Sequence, residues 1–256
     1  MRLFYQVCLT IRFANVIVMM SGATAKLIRK LKQKKYRYEH KLFIAEGDKV
    51  VQELLIEGLK PKVVLTTSAD ISFSDIKVDV ISHKEMKELS SLSTAPGLLA
   101  VFPFPGFSAN HKDLVLVLDA INDPGNLGTI IRTADWFGVK QIIAIEGSTD
   151  CFNPKCVQST MGSIARVEIN YLSRENALNH LDGFKLWGAD MNGTSVSNIV
   201  PLKSRTALIM GSESHGYDNF WNSYVQKVTI PRGEGSHTES LNVAVATSIL
   251  LAFLRS

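Results

Sequence analysis

The most constraining feature of the sequence is an alternation of short apolar runs with longer helical patterns, which begins at residue 114. Breakers and polar residues bound the runs, as is typical of buried strands in an α/β fold. We therefore predict a parallel sheet with helices on both faces. The predicted strands are 114–118, 141–145, 167–169, 185–189, 207–210 and 228–230, and the predicted helices are 127–137, 155–161, 174–182 and 241–253.

Two loops that follow the last two predicted strands form the candidate binding site. One opens at Gly211, and the other opens at Pro231 and runs to Ser240, just before the final helix. We expect Ser240 to cap that helix. Ligands of open α/β sheets bind beyond the carboxyl ends of the strands, where helix amino termini expose backbone amides. The two loops are therefore predicted to line one site.

Three motifs lie at strand ends of this sheet. The stretch LVLVLDAINDPGNLGTIIRTADWFGV contains Asn126 and Arg132, GSESHG contains Glu213, and IPRGEGSHTESLN contains Ser240 and Asn242. Together they resemble the three motifs of the SpoU/TrmH family of RNA 2′-O-ribose methyltransferases, in the SPOUT superfamily. All three stand in the family's order, which makes the match strong.

This resemblance implies a fold, a cofactor and an assembly. The parallel-sheet domain would hold a deep trefoil knot of the SPOUT type, in which the final loop and helix thread under the preceding loop. S-adenosylmethionine would donate the methyl group, and members of the family act as homodimers through the knot region. The implied catalytic residues are Asn126, Arg132, Glu213, Ser240 and Asn242, and the implied cofactor contacts are Gly211, Ile230, Leu241 and, from the end of strand 185–189, Ala189.

Each motif residue also has an ordinary structural interpretation. Asn126 can cap helix 127–137, and Arg132 can be a surface arginine on an exposed helix face. Glu213 can be a solvated loop charge, and Asn242 can bond its own backbone. In the family the arginine that Arg132 matches is the proposed base, yet a guanidinium stays protonated at ordinary pH. Arg132 can instead clamp a phosphate with two hydrogen bonds and position the ribose.

The residues before the sheet predict a small α/β domain at 20–106. The stretch KLFIAEGDKVVQELL resembles the start of the substrate-binding domain of many SpoU methyltransferases, a fold shared with some RNA-binding ribosomal proteins. The predicted helices are 23–36, 49–55 and 83–92, and the predicted strands are 63–66, 78–81 and 98–102. The stretch FPFPGFSANHKD has a linker composition, so we place the domain boundary near Phe107 and the methyltransferase domain at 107–256.

A cluster of positive charge distinguishes this first domain, although the net charge of the chain is only +4. Within residues 26–41 a single acid, Glu39, stands against many bases. Such a cluster suits a polyanion, and the ordinary alternative is a solvated helix face. Its members are Lys26, Arg29, Lys30, Lys32, Lys34, Lys35, Arg37 and Lys41.

The first 19 residues and the cysteines bear on compartment. Arg12 interrupts the apolar run of residues 1–19 and no cleavage site follows, so a signal or membrane segment is disfavoured. We expect translation to begin at Met20 and residues 1–19 to be a non-native or disordered extension. Cys8, Cys151 and Cys156 form neither a disulfide framework nor a zinc set, so we expect a reducing cytoplasm and no metal.

The predicted substrate is structured RNA, with ribosomal RNA favoured over transfer RNA by the ribosomal-protein resemblance. Arg232 stands where the family usually has Met, and the loop that follows is longer than usual, which puts substrate choice in doubt.

A dinucleotide site is disfavoured, because no acidic residue follows a GxGxxG motif. A serine hydrolase is disfavoured, because Ser212 replaces the glycine that a nucleophile elbow needs before Ser214. The remaining alternative is a non-catalytic RNA-binding protein that kept the methyltransferase fold.

Overall fold

A computed structural model of the chain describes residues 20–107, 113–199 and 205–255. The predicted extension at 1–19, with Cys8, lies outside these described residues. The chain divides into two compact units between Phe104 and Pro105, a little before the boundary expected near Phe107.

The amino-terminal unit contains one mixed sheet. Its strand order is β1-β4-β2-β3, in which only the β2/β3 pair is parallel. Strand β1 was not among the predicted strands, and all five of its residues are buried. The elements are α1 (Gly22–Leu31), α2 (Lys34–His40), β1 (Leu42–Glu46), α3 (Asp48–Ile56), β2 (Val63–Thr66), β3 (Asp79–Val80), α4 (His83–Leu89) and β4 (Leu98–Pro103).

The single helix predicted at 23–36 is wrong, since the structure has two helices there. Gln33 is extended and separates α1 from α2. The guanidinium of Arg37 donates hydrogen bonds to the carbonyls of Leu31, at 2.9 Å, and Lys32, at 2.8 Å. Carbonyls at a helix end need such donors, so Arg37 fixes the break between the helices. Arg37 is 3% exposed, so its assignment to a polyanion-binding cluster is also wrong.

The carboxy-terminal unit contains the predicted parallel sheet. Six strands lie in the order β10-β8-β9-β5-β6-β7, and every neighbouring pair is parallel. All residues of β5, β6 and β9 are buried, as expected where helices cover both faces. The elements are β5 (Leu114–Leu118), α5 (Pro124–Trp136), β6 (Gln141–Ile145), α6 (Pro154–Thr160), β7 (Glu168–Leu172), α7 (Arg174–His180), β8 (Lys185–Ser195), β9 (Thr206–Met210), β10 (Gln226–Thr229) and α8 (Val243–Arg255).

The strand order places a topological switch point between β5 and β9. From β5 the chain proceeds to β6 and β7 on one side, whereas β8, β9 and β10 lie on the other side. The loops that leave β5 and β9 therefore diverge at adjacent strand ends. A crevice of this kind is where open parallel sheets bind ligands.

Helix α5 is held beside this crevice by close packing against α6 and α8. A Cβ on Gly128 would lie 2.5 Å from the Cys156 carbonyl oxygen, so only glycine permits the α5–α6 approach. The hydroxyls of Thr133 and Ser248 link α5 to α8 at 3.3 Å, and Arg255 donates to the Gly138 carbonyl. The carboxyl end of α8 therefore lies near the carboxyl end of α5.

Candidate active site

The first turn of α5 presents Asn126 to the crevice. Asp123, not Asn126, caps this helix, because its carboxylate accepts the Asn126 backbone N–H at 2.9 Å. The prediction that Asn126 caps the helix is therefore wrong, and its side chain is available for other contacts. Lys155 donates to the other Asp123 oxygen at 2.8 Å. This hydrogen bond, with that from the Asn126 backbone, lowers the pKa of Asp123.

Asn126, Glu213 and Asn242, one from each motif, meet in a hydrogen-bonded set that we call the Asn–Glu–Asn cluster. The Asn126 Nδ2 donates to Glu213 Oε1 at 2.9 Å. The Asn242 Nδ2 donates to Asn126 Oδ1 at 2.9 Å and to Glu213 Oε1 at 3.3 Å. Residues 87 and 116 positions apart in sequence are thus joined at one point beyond β5 and β9.

The orientation of both amides follows from their partners. The Asn242 Oδ1 accepts the backbone N–H groups of Ala244, at 3.0 Å, and Val245, at 3.3 Å. Backbone N–H groups only donate and an ionised carboxylate only accepts, so the Asn242 Nδ2 must point to Asn126 and Glu213. Asn242 therefore caps α8, and the expectation that Ser240 caps this helix is wrong.

Glu213 is placed by a tight loop after β9. Ser212 and Gly216 pair through backbone hydrogen bonds in both directions, at 3.1 and 2.9 Å. A Cβ on Gly211 would lie 1.9 Å from the Gly216 carbonyl carbon and from the Tyr217 nitrogen. Glycine is therefore required at the base of this loop. Glu213 also accepts the Val243 N–H at 3.3 Å, which ties the loop to the start of α8.

Asp119 is a supporting residue that sequence reasoning missed. Its buried carboxylate accepts bonds from the Arg174 guanidinium, the Asp218 backbone N–H and the Trp221 indole. Hydrogen bonding to Asp119 raises the pKa of Arg174. The carboxylate thus fixes the far end of the segment that follows Gly216. An Asp directly after the buried run LVLVL was the available signal.

Arg132 lies in α5 but is not brought into the cluster. It is six residues beyond Asn126, a rise of about 9 Å along a helix. Its side chain is exposed, and within the described ranges it has no hydrogen bond or ion pair. The guanidinium is thus available to an incoming anion.

The third-motif loop, residues 231–241, is exposed throughout. Arg232 donates to the Glu239 carbonyl at 2.7 Å, which closes the loop across its base. Ser240 and Leu241 stand in this loop, next to the Asn–Glu–Asn cluster in sequence. Ile230 is half-buried directly after β10.

Ala189 does not lie at a strand end, so that part of the prediction is wrong. Strand β8 continues to Ser195, because after a register shift its residues Thr194 and Ser195 pair with β10. Ala189 is half-buried and follows Gly188, whose missing side chain leaves room for the Tyr217 ring. It therefore lies near the loop that carries Glu213.

The same loop contains a Ser–His contact that does not form a hydrolase site. The Ser214 hydroxyl lies 2.7 Å from His215 Nδ1. No helix starts after Ser214, as a nucleophile elbow would need, since a 3₁₀ turn follows at Asn219–Ser223. Glu213, the nearby acid, is bonded to the two asparagines instead.

Within the part of the chain that the structure describes, no group of three or more His, Cys, Asp or Glu side chains could hold a metal ion. None of the described helices combines the length and the apolar character that crossing a membrane requires.

Two family models match the chain. Residues 113–252 match the SpoU rRNA Methylase family, and residues 23–100 match the MRM3-like substrate binding domain. The first match contains every motif residue named above. The second lies within the amino-terminal unit.

Named relatives and solved structures agree with these matches. The 23S rRNA (guanosine(2553)-2′-O)-methyltransferase RlmP of Bacillus subtilis is 31% identical over 89% of this chain and 94% of its own. A protein of the TrmH family from Porphyromonas gingivalis has a TM-score of 0.81 at 34% identity, covering 93% of this chain and 99% of its own. An AdoMet-bound rRNA methyltransferase from Sinorhizobium meliloti has a TM-score of 0.79 at 28% identity, covering 93% and 96%. The resemblance inferred from the three motifs is confirmed, and the chain belongs to the SpoU rRNA methylase family.

Proposed function

We propose that the protein transfers a methyl group from S-adenosylmethionine to a ribose 2′-hydroxyl of ribosomal RNA. The Asn–Glu–Asn cluster carries this proposal, because it joins all three motifs at the switch point of the sheet. The named methyltransferase relatives support the reaction class.

The loops after β9 and β10 fit the cofactor. An adenine ring needs an apolar slot and a few backbone groups. Gly211 begins the loop after β9, Ile230 is half-buried directly after β10, and Leu241 is 44% exposed, so backbone groups and apolar side chains both stand in or next to the two loops. Bound there, S-adenosylmethionine supplies an electrophilic methyl group that a ribose oxygen can attack. Ala189, beside Tyr217, completes the set of cofactor contacts that we propose.

The Asn–Glu–Asn cluster positions loops and does not move protons in this proposal. Glu213 Oε1 accepts bonds from Asn126, Asn242 and the Val243 N–H, so the carboxylate is engaged with both neighbouring motifs. Its task is to hold the second and third motifs beside each other. Holding the reacting groups in near-attack geometry can supply about 7–11 kcal/mol of the barrier.

Arg132 supplies a positive charge, which the Asn–Glu–Asn cluster lacks. Its guanidinium has no anionic partner within the described ranges and suits a phosphate next to the target ribose. A bidentate clamp of this kind would orient the 2′-hydroxyl towards the methyl group. Ser240, exposed in the neighbouring loop, is the second residue that we assign to RNA positioning.

Ribosomal RNA is the favoured substrate over transfer RNA. RlmP of Bacillus subtilis and RlmB of Blochmanniella floridana, 31% identical over 75% of this chain and 80% of its own, are both named as 23S rRNA methyltransferases. The amino-terminal match to a substrate-binding domain suits an RNA of this kind. Cys151 and Cys156 are buried thiols, which suits the reducing cytoplasm that we propose as the compartment.

We also propose a homodimer and a trefoil knot in the carboxy-terminal unit. Trp136 in α5 is 84% exposed, and Val245 and Phe253 in α8 are 47% and 44% exposed. Large apolar side chains on two packed helices favour a protein contact. The bonds from Asn242 and Val243 to Glu213 favour passage of the chain beside the preceding loop, as a knot requires. Sedimentation of wild-type protein and a Trp136→Glu variant tests the dimer, which the variant should lose.

The proposed function is tested with the purified protein in two steps. Calorimetric titration should detect S-adenosylmethionine binding, and mapping of ribosomal RNA from a deletion strain should reveal one missing 2′-O-methyl group. Adding the protein and cofactor to that RNA should restore the group. Absence of cofactor binding, even with RNA present, would overturn the proposal in favour of a non-catalytic RNA-binding protein.

A further inference from the structure

The basic segment of the amino-terminal unit separates into structural and outward-facing charges. Arg37 holds the end of α1, as described above. Arg29 pairs with Glu88 at 3.4 Å, and Lys32 donates to the Ser90 carbonyl at 2.8 Å. These three cations fix α1 and α2 to their own domain. The remaining lysines on α2 and at the end of α1 have a different set of neighbours.

Those lysines lie over aromatic rings. Lys30 and Lys35 have their Nζ atoms 5.0 and 5.8 Å from the centre of the Tyr36 ring. On the other flank of the helix, the Lys34 Nζ lies 5.7 Å from the Tyr38 ring. Each tyrosine of α2 thus has at least one ammonium group within reach of its face.

Further ring contacts hold the two tyrosines in place. The Tyr36 and His40 rings are nearly parallel, at 15°, with centroids 6.5 Å apart. Tyr38 packs edge-on against Phe104 at 5.4 Å and is still 39% exposed. Rings that are fixed before binding lose little conformational entropy when a base stacks on them.

We propose that α2 binds an unpaired segment of the RNA substrate, with Tyr36 and Tyr38 stacking on bases and Lys30, Lys34 and Lys35 contacting the adjoining phosphates. This inference rests on the proposed function and names the part of the RNA that the amino-terminal unit reads. We call the five residues the α2 platform. Aromatic side chains interleaved with cations are how proteins hold single-stranded nucleic acid.

Unpaired RNA fits this surface better than a duplex or an acidic protein. The bases of an RNA helix are stacked on one another and hidden in a narrow major groove, so aromatic rings cannot reach their faces. An acidic peptide would use the lysines and leave the rings without a partner. Only an unpaired segment uses both rings and charges.

The first experiment separates stacking from charge at Tyr36. Fluorescence anisotropy would compare a labelled RNA hairpin with a large unpaired loop and a fully paired duplex of the same stem. Tyr36→Leu should weaken hairpin binding about tenfold, within the range of one lost base–aromatic stack, and leave duplex binding unchanged. Tyr36→Phe keeps the ring and should bind as the wild type does. Equal losses for hairpin and duplex, or no loss for either, would overturn the proposal.

The second experiment tests the charges of the α2 platform. Lys35→Ala should weaken binding to both RNAs and reduce the slope of log affinity against log salt by roughly one phosphate contact. Lys77→Ala is the matched control, because its side chain is 81% exposed and it precedes β3, at the sheet edge opposite β1, on which α2 packs. A control effect as large as that of Lys35→Ala would reduce the platform to general electrostatic attraction and overturn it. Competition with an acidic peptide is a further check. If the peptide displaces the hairpin equally well from wild type and from Tyr36→Leu, the rings do not matter and the proposal of an RNA-stacking platform is overturned.

Methyl transfer distinguishes failure of this inference from failure of the proposed function. In a titration with ribosomal RNA, Tyr36→Leu should show a raised KM for the RNA and, at saturation, an unchanged kcat, because α2 holds RNA and does no chemistry. If wild-type protein transfers no methyl group, the proposed function fails while the hairpin comparison still reports on the platform. If transfer is normal in both proteins at every RNA concentration, the platform fails and the function stands.

Discussion

The two halves of the candidate site differ in how far their side chains are already committed. In the Asn–Glu–Asn cluster both asparagine amides and the Glu213 Oε1 atom have hydrogen-bond partners within 3.3 Å. Arg132 and the third-motif loop are exposed, and the bond from Arg232 to the Glu239 carbonyl closes that loop across its base. The first half is a finished piece of structure, and the second half is open to ligands.

This difference indicates that the two halves of the site have different roles. Residues that are bonded to one another position the loops, because breaking their bonds to serve a ligand would cost stability. A cation without an anionic partner can bind a phosphate without first losing a bond. Variants in the open half should therefore change catalysis at constant stability, and variants in the cluster should change both.

The largest effect is expected for Arg132→Ala. Methyl transfer should fall about 10²–10³-fold in kcat, the usual cost of removing one positioned charge-stabilising group. Thermal stability and S-adenosylmethionine affinity should not change, because Arg132 has no partner within the described ranges. Arg205→Ala is the matched control, since this exposed arginine directly precedes β9, at the amino ends of the strands and away from the crevice, and should retain full activity. A loss of thermal stability in Arg132→Ala would mean that Arg132 has a structural role like that of the Asn–Glu–Asn cluster.

The next effect is expected for Gly211→Ala, at the junction of the two halves. The new Cβ would meet backbone atoms at 1.9 Å, so the loop carrying Glu213 must move. We expect at least about a tenfold loss of S-adenosylmethionine affinity, equivalent to about 1.4 kcal/mol, measured by calorimetry. Gly233→Ala is the control, because a Cβ there meets nothing within 4 Å. Equal affinities in wild type and Gly211→Ala would show that the loop does not shape the cofactor site.

How much of this site the sequence could reveal depends on the range of the contacts. The alternation of strands with helices along the chain predicted the parallel sheet, and the family motifs named the three residues of the cluster. Asp119 was missed because its partners lie 55 to 102 positions away and no local pattern marks them. The end of β8 was misplaced because its extension depends on a register shift against β10.

Helix boundaries failed for a related reason. The break between α1 and α2 depends on the Arg37 side chain reaching back to carbonyls five and six residues earlier. Periodicity cannot indicate such a contact, because the one buried side chain of α2 is this charged arginine and not an apolar residue. The start of α8 was placed too early because Ser240 and Asn242 are both good cap residues. Which of them caps the helix depends on Glu213, which lies in another loop.

A smaller effect is expected for Asn242→Ala, inside the cluster. The substitution removes the cap of α8, which typically costs about 1 kcal/mol of stability. It also removes one hydrogen bond to Asn126 and one to Glu213. Urea denaturation should show this loss together with reduced methyl transfer. Asn242→Asp is the informative companion, because it keeps the cap oxygen but sets a second carboxylate against Glu213. A stable but inactive Asn242→Ala would assign Asn242 to the open half.

The smallest effect is expected at Lys155, which supports the cluster through Asp123. Because Lys155 lowers the folded-state pKa of Asp123, the pair stabilises the protein above the unfolded pKa of about 3.9 and loses this effect as pH falls through the folded value. Lys155→Met should therefore be less stable than wild type near neutral pH by a few tenths of a kcal/mol, as is usual for exposed pairs. Urea titrations should show this gap closing in acid, whereas Lys155→Arg should follow the wild type. A gap that stays constant with pH would mean that Lys155 acts through packing of its side chain beside Gly125, and not through the charge of Asp123.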